Sequence, residues 1–167
     1  MPLRKARRPT ELNAETHVAT AFTGVSTTVH AEFSLPSAEG NEREVMERVA
    51  AAIAPLALPY SRLERLKTAV AEAAMNAIEH GNGGNAELPV GVHVESTSTA
   101  VTVRITDQGG ATPIPAAEAP DIEAKLAGKQ KPRGWGLFLI EKMVDEIRIH
   151  TDGSHHIIEL VMNRGEL

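Results

Sequence analysis

The apolar positions of this chain fall into runs whose period changes along its length. Val29, Ala31, Phe33 and Leu35 alternate with Thr28, His30, Glu32 and Ser34, the two-residue period of a half-buried strand beginning near Ser26 and ended by Pro36. From Ala38 to Ala54, Val45, Met46, Val49 and Ile53 recur at helical spacing with Glu42, Arg43, Glu47 and Arg48 opposite. That pattern predicts an amphipathic helix, broken by Pro55 and Pro59. A second helix is predicted from Ser61, which forms a capping box with Glu64, and its buried stripe is Leu63, Leu66, Val70, Ala73, Ala77 and Ile78. It should run to about His80, where Gly81, Gly83 and Gly84 stop it. Leu88 to Glu95 and Ala100 to Thr106 return to alternation and predict an antiparallel hairpin. The stretch 107–133, with its glycines and prolines, breaks all periodicity. Beyond it, a helix from about Gly134 to Val144 carries Leu137, Ile140 and Val144, and strands Glu146–Thr151 and His155–Met162 follow around Asp152-Gly153. This order predicts an α+β fold, a two-layer sandwich with a mostly antiparallel sheet covered on one face by helices, and excludes a doubly wound sheet. Residues 1–25 read as a flexible basic and polar leader, and 26–167 as the folded unit.

Composition adds exclusions. With 42% apolar and 23% charged residues in 167, the chain has the make-up of one soluble domain. Its net charge of −5 offers no global basic field for nucleic acid, although Arg4, Lys5, Arg7 and Arg8 make the first nine residues basic. Only 3% aromatic residues argues against base-stacking platforms. The absence of cysteine removes disulfides, thiolate metal sites and thiol nucleophiles together. Val49 to Leu58, the longest uncharged apolar run, is about ten residues and contains Pro55, short of the ~20 that span a bilayer. A cytoplasmic protein without membrane or direct nucleic-acid partners is expected. His155 and His156, adjacent in a strand, point to opposite faces, and no structural zinc is expected.

Three short segments carry chemistry. Glu72, Asn76 and either Glu79 or His80 stack on one helix face, where a carboxylate and a carboxamide one turn apart suit a hard cation and a nucleophile. Asp107-Gln108-Gly109-Gly110 ends a strand with an acceptor for an exocyclic amine and glycines that allow close approach to a ligand plane. Arg133-Gly134-Trp135-Gly136-Leu137 opens a helix whose first amides can hold phosphate oxygens. Each has a plainer reading: a solvated helix side, an ordinary turn, and Trp135 as core packing. A glycosidase pair of Glu72 and Glu79 is disfavoured because both project from one helix without cleft-forming aromatics nearby.

In this order the segments resemble the boxes of the GHKL ATPases, which have the Bergerat fold. Glu72-x-x-x-Asn76-Ala77-Ile78-x-His80-Gly81 looks like the N-box, Asp107-x-Gly109 like the first glycine box and Gly134-Trp135-Gly136-Leu137 like the second. The glutamate four before the asparagine and the stretch Leu137 to Glu146 look most like the bacterial anti-sigma factor serine/threonine kinases. The resemblance, over about Ser26 to Arg164, implies ATP and Mg2+ as cofactors, with Asn76 as the metal ligand and Glu72 as the base. It gives Asp107 the adenine amine, Gly109 the passage of the backbone along the ring, and Gly134 and Gly136 the phosphates. His80, Trp135 and Leu137 fall within the matching boxes, and residues 111–133 would be an ATP lid. Arg133, and after it Lys131, are the candidates for the cation that steadies transferred charge. A family threonine near the adenine has no counterpart at Ile157 or Ile158. The implied partners are a sigma factor, a STAS-type anti-anti-sigma substrate and a second copy of the chain, the first strand lying at a sheet edge. Two alternatives stand beside this kinase: a non-catalytic nucleotide-binding module of the same fold, and the catalytic domain of a sensor histidine kinase, disfavoured by the short stretch before Ser26.

Overall fold

The computed structural model describes residues 25–114, 116, 117, 119, 121, 123, 127 and 135–165. Five strands form one antiparallel sheet in the order β1-β2-β3-β5-β4: β1 Thr28–Pro36, β2 Pro89–Ser96, β3 Ala100–Asp107, β4 Glu146–Thr151 and β5 His156–Asn163. Among the described residues, three α-helices, α1 Asn41–Ile53, α2 Tyr60–Asn76 and α3 Trp135–Met143, cover one face of it. This is the predicted two-layer α+β arrangement. Its core lies between the layers, where Val45, Leu66, Val70 and Ile140 of the helices meet Val92, Val103, Ile105 and Leu160 of the strands. Ala69, Ala73, Ala74 and Ala77, all buried, make the inner face of α2 small, so this helix sits close to its neighbours.

Two local expectations are corrected. The helix predicted to start at a Ser61 cap begins at Tyr60 after Pro59, with no side-chain cap. The extended Pro59 carbonyl accepts the Arg62 and Leu63 amides at 2.9 and 3.0 Å, and Glu64 turns outward to take Lys67 Nζ at 2.8 Å. The backbone therefore satisfies the orphan donors a capping box would have met. In β1 the register shifts between Val29 and Ala31, so alternation toward the core holds only from Ala31 onward. Val29 is left 56% exposed, and His30 reaches Ser96 Oγ at 2.7 Å.

Candidate nucleotide site

The site is built where α2 stops. Instead of continuing as α-helix to His80, the chain widens at Ala77–Gly81 into a π-helical turn, closed by Asn82 N–H on the Ala77 carbonyl at 2.8 Å. Such turns concentrate at functional sites because they re-aim side chains without breaking the helix. Here the widening swings Gly81 against the end of β3. A Cβ on Gly81 would fall inside the contact distance of the Asp107 carboxyl, and one on Gly109 would collide with the Gly81 carbonyl. Only glycine at both positions lets the two segments touch.

Asn82 stands between the glycines that stop the helix. It is 4% exposed, donates to Ser37 Oγ at 2.8 Å and to the Pro89 carbonyl at 3.1 Å, and accepts the Gln108 N–H at 2.7 Å. One carboxamide thereby ties the α2 end to the ends of β1, β2 and β3. An asparagine amid glycines was the available signal, and it reads equally well as an ordinary turn residue.

These segments enclose a cavity of about 320 Å3 lined by Asn76, Ala77, Glu79, His80, Gly81, Asp107, Thr112, Pro113, Ile114, Gly136, Leu137, His156 and Ile158. Asp107 lies against it, 4% exposed, with Oδ1 accepting the Gly109 N–H at 2.8 Å. His156, directly opposite in the strand register, places Nδ1 3.0 Å from the same oxygen. Ile157 and Ile158, where the family threonine near the adenine has no counterpart, follow it in β5. His156 faces Asp107, Ile158 lines the cavity one inward position further along, and Ile157 points away from it. Predicting this required the register of β5 on β3, which a single strand pattern does not contain.

At the cavity mouth Gly136, in the first turn of α3, faces α2. A Cβ there would stand 3.0 Å from Asn76 Nδ2 and 3.4 Å from Glu72 Oε2. Burial pushes the Glu72 carboxyl above the usual glutamate range, and the negative charge of Glu79 adds to the shift. Glu72, Gly109 and Trp135 do not line the cavity: Glu72 stands one turn before Asn76, Gly109 behind Asp107, and Trp135 half-buried at the start of α3. Lys131, Arg133 and Gly134 lie outside the described residues, as do most of the expected lid and residues 1–24 of the expected leader. Among the described residues, no group of three or more His, Asp or Glu side chains is arranged to hold a metal, and no helix is long and apolar enough to cross a membrane.

Residues 35–162 match the family described as the histidine kinase-like ATPase domain. The chain belongs to this family. Within the GHKL superfamily its kin are anti-sigma factors. It is 29% identical over 133 residues to an anti-sigma F factor of Pasteuria penetrans, covering 78% of this chain and 87% of that protein. It is 32% identical over 132 residues to the anti-sigma F factor of Bacillus thuringiensis (strain Al Hakam), covering 76% and 89%. A crystal structure of the RsbU and RsbW domains of Rv1364c from Mycobacterium tuberculosis superposes with a TM-score of 0.57 at 18% identity. It covers 81% of this chain, which spans 33% of that longer one, and the likeness is one of fold. The recognition of an anti-sigma factor kinase of the GHKL superfamily from its three boxes is borne out, as is the fold it implied.

The lining of this histidine kinase-like site fits an ATP bound through a cation. Asp107 Oδ2 accepts no hydrogen bond among the described residues, which leaves an acceptor for an amine. Glu79 and Asp107 line the cavity, and its described residues include no Lys or Arg. A polyphosphate there needs positive charge at its oxygens, and the described lining brings no Lys or Arg to them; the Asn76 carboxamide at the mouth is the kind of hard oxygen ligand Mg2+ accepts alongside phosphates.

Proposed function

We propose that the chain is an ATP- and Mg2+-dependent anti-sigma factor that binds a sigma factor and transfers the γ-phosphoryl group of ATP to a serine or threonine of a STAS-type anti-anti-sigma protein. The observation that carries the kinase reading is the convergence of Glu72 and Asn76 on Gly136 at the cavity mouth. A scaffold that only binds nucleotide needs Asn76 and Asp107, whereas a half-buried carboxylate of raised pKa beside them suits a base.

In this reading the purine amine donates to Asp107, and the first amides of α3, at Gly136 and Leu137, meet the phosphates. Asn76 holds Mg2+, which when bound neutralises charge on the phosphates. Glu72 accepts the proton of the incoming hydroxyl as its oxygen bonds to the γ-phosphorus, the bond to the bridging oxygen breaks, and ADP leaves. Lys131 and Arg133 belong to the proposal as charge-steadying cations, residues 111–133 as a lid, and residues 1–25 as a leader apart from the folded unit. The edge position of β1 supports pairing with a second copy, making a homodimer.

The test incubates the full chain with radiolabelled ATP, Mg2+ and an anti-anti-sigma protein, then repeats with Glu72→Gln. Acid-stable label on serine or threonine, lost in the variant while ATP still binds, is the expected result. Unlabelled substrate with intact ATP binding would leave the non-catalytic module, and acid-labile label would point to a histidine kinase.

A further inference from the structure

We propose that His156 is a positioning residue that sets base specificity: its imidazole, protonated on both nitrogens, holds Asp107 as an acceptor-only carboxylate, so that the cavity takes an aminopurine and rejects an oxopurine. The inference rests on the nucleotide reading above and extends it to a residue outside the three boxes.

The His156 and Asp107 side chains are each 6% exposed and 3.0 Å apart, so neither meets its hydrogen-bonding needs in bulk water. The other ring nitrogen, Nε2, lies 2.5 Å from the Thr112 carbonyl, which can only accept. Nε2 therefore carries a proton. Nδ1 faces Asp107 Oδ1, which also accepts the Gly109 N–H at 2.8 Å, and an oxygen already serving as acceptor leaves the donor's part at this contact to the ring. The remaining proton then sits on Nδ1, and the pair is an imidazolium against a carboxylate. The neighbouring ionisable groups do not compete for this arrangement. His155 lies in the turn before β5, where it meets Asp152 at 3.3 Å, and Glu79 and His80 line the cavity without hydrogen-bonding either partner.

The consequence falls on Asp107 Oδ2. A protonated aspartic acid could present its O–H to a carbonyl on the base and accept guanine. A carboxylate that accepts from His156 has no donor to give, so an exocyclic amine gains a charge-assisted bond while an exocyclic oxygen meets like charge. The other arm of His156 fixes Thr112, where the chain leaving β3 becomes the cavity wall with Pro113 and Ile114. One ring thus orients the base-reading carboxylate and anchors the wall beside it.

Side-chain amides separate the two arms, since asparagine places its NH2 near the Nδ1 position and glutamine near Nε2. Calorimetry of the full chain with Mg2+ and either ATP or GTP should give an ATP preference. In His156→Phe, which fills the ring volume without donors, ATP affinity should fall about tenfold, the loss expected for one charge-assisted bond, and the ATP:GTP ratio should collapse toward one. His156→Asn should restore the ratio, and His156→Gln should not. Nitrogen-15 NMR of the wild-type imidazole should show both nitrogens protonated, a readout that stands even if a variant fails to fold. An unchanged ratio in His156→Phe, rescue by glutamine in place of asparagine, or a neutral ring would overturn the proposal. No binding of either nucleotide to the wild type would instead overturn the nucleotide reading itself.

Discussion

Glu72 shows how one side chain can be costly to the fold and still suit the chemistry proposed for the site. Burial and the charge of Glu79 both raise its pKa, so the folded protein holds the protonated form more readily than the unfolded chain does. A carboxyl raised in this way stabilises the fold fully only below its unfolded pKa, and that stability is lost as pH rises toward the folded value. Glu72→Gln should therefore raise the unfolding midpoint at neutral pH and change it little near pH 4, measured by thermal melts at both pH values. Under the proposed mechanism the same shift displaces activity. A base must be ionised, so the acidic limb of the phosphoryl-transfer rate should lie above the ordinary glutamate value of about 4.3. Glu79→Gln removes the charge that adds to the burial effect, and the limb should move down toward that value. A pH–rate profile unmoved by Glu79→Gln would show that burial alone sets it.

At the scale of elements, the site depends on how α2 ends. The π-helical turn brings Gly81 to Asp107, and Asn82 then locks the turn to three strands. Asn82→Ala would leave the Gln108 amide and the Pro89 carbonyl without this partner at a buried junction, and should cost about 1–3 kcal/mol in urea denaturation. Nucleotide affinity should fall with it, because Gln108 follows Asp107 directly. The sequence pattern foretold the helices, the β2–β3 hairpin and the strand limits well, because apolar spacing along one element reports its buried face. Glu72, Asn76 and Asp107 are candidates from the sequence for another reason, each standing at a fixed place within a recognisable box. What stayed hidden depends on two elements meeting. The bulge that exposes Val29, the partnership of His156 with Asp107 and the hub at Asn82 are properties of register and packing. Pro59 displaced Ser61 as the start of α2 because a backbone carbonyl can meet the first amides as well as a side chain can.

At the scale of the molecule, the two faces of the sheet divide the labour. The helix-covered face holds the core and the cavity, while the outer face carries a polar row in register across all five strands: Glu32, His93, Arg104, Glu159 and Arg148. Arg104 is its centre, with Nη2 2.6 Å from Glu95 and Nε 2.8 Å from Glu159. Burial pushes the Glu95 carboxyl up, but the hydrogen bonds from Arg104 and His93 outweigh it and hold the carboxyl below the usual glutamate range. A lowered carboxylate contributes stability above its unfolded pKa and loses it as pH falls through the folded value. Replacing Arg104 by methionine keeps the aliphatic stem and leaves Glu95 and Glu159 facing each other without their shared cation. At pH 7 that should cost about 1–3 kcal/mol, the loss expected when a partly buried charge-assisted pair is broken. The gap between wild type and Arg104→Met should hold from pH 7 down to about 4.3 and close below it, where the wild type protonates Glu95 as well. Denaturant unfolding from pH 7 to 3 measures this directly. A gap that persisted unchanged at pH 3 would show that the arginine acts through its packed stem rather than its charge. Because the row lies on the face away from the cavity, ATP affinity of Arg104→Met at pH 7 should match the wild type.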